Sequence, residues 1–464
     1  GESPTVPIYN FMRPYKNLLY AVSACLLILL AGCRKEQLMC NYAAADISTT
    51  EAERVVLAGF AARHGLSTGT HLPLRTHCLV IAKGAEKVCI VSNDLMEISP
   101  READRMRNEI ANRTGMPVGR VLLHCIHTHS APRTGGSSTL EGGTNYNYAS
   151  RSLQAVIDCA VRTILDGKGY RPFRLEVGKG TTSINGNRCE KEGPVDRDVY
   201  VARFIDDRDR PIVSVVNLAC HPVCMGPASL LVSPDYAGVA ARELREAWGG
   251  DVMQLTGASG NMDPVRGPKT VEYAEEAGLS LADSLKGIVF TQAPERGLLR
   301  VADNVAELPF RIDSVTPAAV SAHADEIAAW DAAVSPTWKN DVRNWEREIL
   351  NRFEETGVPS RLAFRLTAVN VDGVVFFFSQ GEPFVEYQLE IRAAFPRETV
   401  FFAGYTNGQN SYLPSAHAFE HRKGYEYEID QMHVYIKAPY PLSDRMPASY
   451  AQAVRETVGK VLAE

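Results

Sequence analysis

Short apolar runs bounded by polar turns alternate along this chain with longer stretches in which apolar residues recur every three or four positions. Side chains change sides at each step of a strand and return to one face after about 3.6 residues of a helix, so the runs predict strands and the stretches predict helices. Strands are expected over 78–81, 88–92, 121–126, 212–218, 252–255, 362–369, 374–379 and 399–402. Asp372-Gly373, between two of them, predicts a tight hairpin turn. Helices are expected over 100–114, 150–166, 234–248, 271–287 and 447–462, the third with Ser233 as N-cap and Pro234 at its first position. The pattern is also helical over 317–355, where Trp345, Ile349 and Phe353 share one face. Strands and helices in alternation argue for an α/β architecture. No repeat or low-complexity tract is visible, so one folding unit is expected after the N-terminal segments.

One segment breaks the pattern. An uncharged apolar stretch runs from Leu18 to Cys33, preceded by Arg13 and Lys16 and closed by Leu30-Ala31-Gly32-Cys33. A core helix would keep a polar face, and a membrane span needs about 20 apolar residues. The arrangement predicts a signal peptide with a lipoprotein cleavage box. Residues 1–32 are therefore expected to be signal and N-terminal extension, 33–42 a lipidated linker, and 43–464 the catalytic domain. Lipid on Cys33 would hold the protein to a bacterial cell envelope, outside the cytoplasm.

The composition, 45% hydrophobic and 22% charged, is that of an ordinary globular protein and excludes disordered, collagenous and coiled-coil chains. A net charge of -6 provides no basic footprint for phosphate, which argues against nucleic-acid partners. Eight of the ten cysteines lie between Cys40 and Cys224. No C-x-x-C pair occurs and several sit in apolar runs, so buried thiols are expected rather than a disulfide framework.

Five predicted strands end in polar or glycine-rich sequence: HCIHTHSAP, CHPVCMG, GASGNMDP, QGEPF and GYTNGQNSYLPS. Ligand crevices in open α/β sheets lie beyond the carboxyl ends of strands, so these segments are candidates to converge. His127 and His129 would project to one side if the chain stayed extended, a pairing able to bind a metal. His221 is a further imidazole, and Glu382 a hard oxygen donor. Taken alone, each also fits a satisfied core or solvated residue, and Tyr412 fits core packing.

The order and wording of these segments resemble the neutral/alkaline non-lysosomal ceramidase family. The run Ile126-His127-Thr128-His129-Ser130-Ala131-Pro132 is similar to its T-H-T-H-S-G-P. Ala45-Asp46-Ile47-Ser48 resembles A-D-I-T, Ser92-Asn93-Asp94 resembles S-x-D, and Asn187-Arg188 resembles the start of N-R-S. Ala219-Cys220-His221-Pro222 is similar to the family's histidine segment, and Ser233 to Gly238 to its S-G-D-x-x-G. Gly381-Glu382-Pro383-Phe384 resembles P-G-E-F, and Asn407 with Tyr412 its N-x-x-x-x-Y-V-T-T. The resemblance covers roughly residues 43 to 430. It implies mixed sheets with flanking helices and a zinc-dependent hydrolase of an N-acyl amide, ceramide-like or another acylated small molecule. Metal ligands carry onto His127, His221, Glu382 and Tyr412; His129, Arg188 and a tyrosine near Tyr425 would face the reacting carbonyl.

Two departures bear on the substrate. Where the family's nucleophile segment reads G-D-V-S-P-N, this chain reads Gly260-Asn261-Met262-Asp263-Pro264-Val265, with Asp263 in the serine's place. A carboxylate does not form the same acyl ester with comparable ease, but it can orient or deprotonate a water or bind a metal. The alternative nucleophile is Ser259, four residues earlier, presented by a glycine-rich turn. The family's C-terminal β-sandwich domain is also not expected here. Two readings follow: a lipid-anchored hydrolase using zinc-activated water with Asp263 in a catalytic role, and a non-catalytic ligand-binding lipoprotein that kept the fold.

Overall fold

Continuous apolar runs buried on both faces form the middle of two stacked sheets. They are seen in a computed structural model that describes residues 1–3, 36–134, 145–265, 267–330, 337–408 and 411–463. The larger sheet contains β1 (Leu38–Asp46), β2 (Arg75–Lys83), β3 (Glu86–Asn93), β4 (Val121–Cys125), β5 (Arg171–Thr181), β6 (Asp198–Asp206), β7 (Pro211–Leu218), β8 (Asp251–Thr256) and β9 (Phe290–Gln292). Its order is β8-β7-β6-β5-β1-β2-β3-β4, with β9 added on β5. β3 with β4 and β7 with β8 are parallel, and the other pairs are antiparallel. The smaller sheet has the order β10 (Leu299–Pro309), β11 (Arg361–Val371), β12 (Val374–Ser379), β13 (Thr399–Ala403), its last pair parallel.

Alternation of side chains assigns each face to a different layer. In β2, Leu79 and Ile81 meet Phe376, Phe378 and Phe401 of the smaller sheet in a shared core. Cys78 and Val80 point the other way, toward α1 (Pro100–Thr114) and α2 (Tyr146–Leu165). α3 (Asp235–Trp248) and α4 (Val271–Lys286) cover β6 to β8 in the same manner. Beyond the smaller sheet, Phe377 and Phe402 pack with Tyr450, Val454 and Val458 of a helix over Met446–Leu462. The result is helix, sheet, sheet, helix, with the mixed sheets and flanking helices expected.

All eight predicted strands and the predicted helices are present, most within a residue or two at each end. The 317–355 pattern contains two helices, Pro317–Ile327 and Trp338–Glu355. Asp372 and Gly373 both take positive φ, 51° and 91°, as a two-residue hairpin requires. α3 begins one residue late, at Asp235; Pro234 precedes it, and the Ser233 hydroxyl accepts from the Asp235 amide at 2.9 Å. β1, β5, β6, β9 and β10 are additions. β1 begins at Leu38, inside the segment expected as linker, so the folded unit starts before residue 43. The expected signal segment and Cys33 lie outside the described residues. Cys40, Cys78, Cys89, Cys125, Cys159, Cys189, Cys220 and Cys224 are free thiols, all buried except half-buried Cys189. Among the described residues, no helix is long and apolar enough to cross a membrane.

Backbone and side-chain bonds tie the carboxyl ends of β4, β7, β8, β12 and β13 together. The Thr256 amide donates to His124 Nε2 at 3.0 Å, and Cys125 N donates to Tyr405 O at 3.1 Å. Gly404 N reaches Thr256 O at 3.1 Å, Tyr405 N reaches Gly381 O at 2.9 Å, and Asn217 Nδ2 reaches Phe402 O at 2.7 Å. The five polar strand ends thus share one place.

Candidate metal centre

His127 follows β4 in a left-handed backbone conformation, φ 69°. The chain therefore turns at this residue, and the extended His-Thr-His expected from sequence is not what forms. The turn still brings the His127 and His129 rings to 5.0 Å between centroids. Such a conformation costs about 1–3 kcal/mol in a non-glycine residue and persists only where neighbours fix it. Here the His127 amide donates to Leu95 O at 3.0 Å, and its ring Nδ1 lies 2.9 Å from Met96 O. His221, in the loop after β7, has its Nδ1 3.1 Å from Met262 O. Since a carbonyl only accepts, both Nδ1 atoms carry a proton, which leaves each Nε2 to hold either a second proton or a metal ion.

Those two Nε2 atoms meet a carboxylate. Glu382 Oε2 lies 3.3 Å from His127 Nε2 and 3.1 Å from His221 Nε2, with all three side chains buried. Close backbone packing delivers Glu382: a Cβ on Gly260 would stand 2.5 Å from Glu382 O, and one on Gly381 2.7 Å from Ser411 O. Burial pushes the Glu382 carboxyl up, but His127 and His221 outweigh it and hold the group well below the usual carboxylate range. Two Nε2 acceptors and an anionic oxygen facing one another repel unless a cation lies among them. Either a proton or a metal satisfies them, and two imidazoles with a carboxylate are donors suited to zinc.

The third histidine fits the same description. His129 has its ligand atom within 4.8 Å of those of His127 and His221, and neither ring nitrogen has a hydrogen-bond partner among the described residues. Its edge rests on Phe60, ring centroids 5.0 Å apart. Burial, followed by the neighbouring His127 and His221, drives its pKa well below the usual imidazole value, so it stands neutral.

Arg188, Asp263 and Tyr412 border the cluster. Asp263 Oδ1 lies 3.6 Å from His221 Nδ1 and 3.8 Å from Arg188 Nη1, and has no hydrogen-bond partner among the described residues. It is thus beside the protonated edge of the His221 ring, away from the Nε2 that meets Glu382. Arg188 donates to Glu428 Oε1 at 2.8 Å and lies 5.3 Å over the Tyr412 ring. Tyr412 pairs with Glu382 in a short parallel ladder, the Glu382 amide reaching Ser411 O at 2.8 Å. Burial raises the Tyr412 phenol well above its usual pKa, with Arg188 pulling the other way.

Tyr425 has other neighbours than the expected carbonyl site: its hydroxyl donates to Glu190 Oε2 at 3.4 Å. The tyrosine lying against the cluster is Tyr405, stacked on His127 at 4.4 Å and hydrogen-bonded to Ser259 Oγ at 2.7 Å. That bond occupies the buried Ser259 hydroxyl. Sequence reasoning missed Tyr405 and Glu428, although Tyr405 lies in the strand-end segment that contains Tyr412. Glu428 belongs to a π-helical turn over Tyr427–Gln431, a form that often marks functional sites.

Residues 40–258 match the family profile for the neutral/alkaline non-lysosomal ceramidases, N-terminal part. A neutral ceramidase of Oryza sativa subsp. japonica is 24% identical over 237 residues, 47% of this chain and 30% of the relative. Neutral ceramidase 2 of Arabidopsis thaliana is 23% identical over 216 residues, 43% of this chain and 28% of the relative. The match therefore spans under a third of these relatives' length. The crystal structure of neutral ceramidase from Pseudomonas aeruginosa shares the fold, with a TM-score of 0.64 at 18% identity over 92% of this chain and 75% of that one. A ceramidase complexed with C2 gives 0.63 at 17% identity, over 91% and 75%. Residues 40–258 are thus similar to the N-terminal part of the neutral/alkaline non-lysosomal ceramidases, and the chain shares the fold of the neutral ceramidase from Pseudomonas aeruginosa.

Proposed function

We propose that this chain is a metal-dependent hydrolase of an N-acyl amide of ceramide type, with His127, His221 and Glu382 as metal ligands and Tyr412 completing the set. The observation that carries this reading is the meeting of two imidazole Nε2 atoms with one buried carboxylate oxygen, at 3.3 and 3.1 Å. A zinc ion held there would supply Lewis acidity, polarising an acyl carbonyl and lowering the pKa of a water toward about 7. The chain's own groups have separable tasks. Met96 and Met262 carbonyls hold the two imidazoles in the tautomer that frees Nε2. Neutral His129, with both nitrogens unpartnered, is able to donate to a carbonyl oxygen beside the cluster. Arg188, fixed by Glu428, offers permanent positive charge to an oxygen that becomes negative. Asp263 lies on the Nδ1 side of His221, and the role proposed for it is to act through a bridging water, orienting the attacking water or accepting its proton. The names of the relatives support the amide as the bond cleaved.

The test joins metal analysis of the purified chain to a turnover screen over ceramides, N-acyl amino acids and acetylated sugars. His127→Ala is expected to lose the metal of this site and turnover together while remaining folded by circular dichroism. Full metal retention in that variant would refute the ligand assignment. A metal-free wild-type chain that binds an N-acyl lipid without cleaving it would favour the binding-protein reading.

A further inference from the structure

A second set of imidazoles and a carboxylate lies outside the centre described above. Glu190 follows Arg188 in a turn closed by Asn187, whose Oδ1 accepts from Cys189 N at 2.9 Å and Glu190 N at 3.0 Å. Opposite it stands the short helix Ala416–His421, capped by Ser415 Oγ accepting from Ala418 N at 3.2 Å. His417 and His421 are four residues apart and so share one face of that helix. Their ring centroids are 3.9 Å apart. His417 Nε2 lies 2.7 Å from Glu190 Oε2, and His421 Nδ1 donates to His417 O at 3.0 Å, which leaves the lone pair on His421 Nε2. One ligand atom from each of the three residues falls within 4.8 Å of the others.

We propose that Glu190, His417 and His421 form a second metal site, for a divalent ion that accepts imidazole and carboxylate together, of which zinc is the representative. A Glu-His ion pair alone would account for the 2.7 Å contact, but it gives no reason for a second imidazole to crowd the first. Two histidines one helical turn apart form a chelating pair, and a carboxylate from another segment supplies the third donor. The Glu190 and His417 side chains are about a third exposed, 34% and 28%, so water completes the coordination and the ion exchanges readily. Binding there is therefore weaker than at the buried His127-His221-Glu382 centre.

The position gives the ion a structural consequence. Glu190 is two residues from Arg188, while His417 and His421 precede Glu428, the carboxylate that holds Arg188. The two segments already touch, since a Cβ on Gly424 would stand 2.5 Å from Cys189 O. An ion bridging Glu190 to the helix would fasten the segment that carries Arg188 to the one that carries its partner.

The experiment is a calorimetric titration of zinc into the metal-stripped, untagged full chain, with circular dichroism as the control for folding. The wild type is expected to show a tight and a weaker class of site. The double substitution His417→Ala with His421→Ala should weaken the second class by at least about tenfold and leave the tight class unchanged. Glu190→Gln should do the same to a smaller degree, whereas His127→Ala should remove the tight class and leave the weaker one. A weaker class that persists unchanged in the double variant overturns the proposal, as does a wild type with one class that His127→Ala abolishes. Loss of binding in the double variant with none in His127→Ala would uphold this site and refute the ligands proposed for the other.

Discussion

Asp235→Ala tests how far one buried carboxylate holds the His221 loop in place. Asp235 opens α3 with φ 60° and is fully buried. Its oxygens accept from the amides of Cys224 at 3.1 Å, Met225 at 2.8 Å and Tyr236 at 2.8 Å. Two of those donors lie three and four residues beyond His221, so the carboxylate anchors the far side of the loop that presents the imidazole. Hydrogen bonds to a charged group are worth about 1.5–3 kcal/mol each, and an abandoned buried amide costs about 1–3 kcal/mol. Those gross figures are not additive. Burial raises the Asp235 pKa despite the three amides, so desolvation cancels part of the gain. The net loss on truncation is about 2–4 kcal/mol. Unfolding entropy of about 2.1 cal/mol/K per residue makes each kcal/mol worth about 1 °C in a unit of this size, so Tm should fall by about 2–4 °C. Calorimetry measures that fall. A chelator competition run beside it should show metal affinity down by about tenfold, because the anchor of a ligand acts as an outer-shell group. Asp235→Asn, with one acceptor oxygen left, should fall between. An alanine variant with unchanged Tm and unchanged metal affinity would refute the anchoring role.

Asp263→Asn keeps the shape of the side chain and removes its charge; turnover should fall by about 10² to 10⁴ with metal retained. Near-normal turnover with lowered stability would instead leave Asp263 as a turn residue before Pro264. Asp251 gives a pH prediction away from the centre, where Arg75 binds it through two hydrogen bonds at 3.0 and 2.8 Å. Burial pushes its carboxyl up, but His77 and Arg75 outweigh that and hold it at about 2. The folded value is below the unfolded one of about 3.9, so this contribution is complete above that pH and is lost as pH falls through about 2. Arg75→Met should flatten the acid limb of stability in denaturant titrations between pH 5 and 2, and an identical limb in the variant would count against the pairing.

The sequence made legible those elements whose burial is one-sided or complete in a simple pattern. The runs in β3, β7 and β12 are almost unbroken apolar residues, and their bounds follow from that. β5 is different: its arginines, glutamate, lysine and glycines lie on a half-buried antiparallel strand, and pairing with β6 on one side is what defines it. β1 was hidden by its place behind the cysteine expected to carry lipid. Within the centre, His127, His221 and Glu382 were legible because each ends a readable strand or follows one closely. Tyr405 was not, since its position comes from a hydrogen bond to Cys125 and a stack on His127, and neither leaves a spacing in the sequence. Arg188 was visible, but its carboxylate partner is 240 residues away.

Backbone conformation bears on the choice between a hydrolase and a fold kept only for binding. His127, Tyr405, Asn407 and Asp235 all have φ between 52° and 69°, and all lie in the strand-end segments or the loop behind them. Asparagine and aspartate tolerate the left-handed region, and Asn407 further secures itself by exchanging hydrogen bonds with Leu123 at 2.7 and 2.9 Å. Tyr405 has no such dispensation and His127 only a partial one, and strain of about 1–3 kcal/mol is maintained by the surrounding bonds. What the strain achieves is local: it turns the His127 ring toward Glu382 and lays Tyr405 against it. A pocket selected only to hold an acyl chain needs apolar walls, for which extended backbone serves equally well. Strain that aims an imidazole nitrogen at a carboxylate is offset only when a proton or a metal ion sits between them, and a buried cluster held in that geometry is what the proposed metal-dependent hydrolase requires and a mere acyl-binding pocket does not.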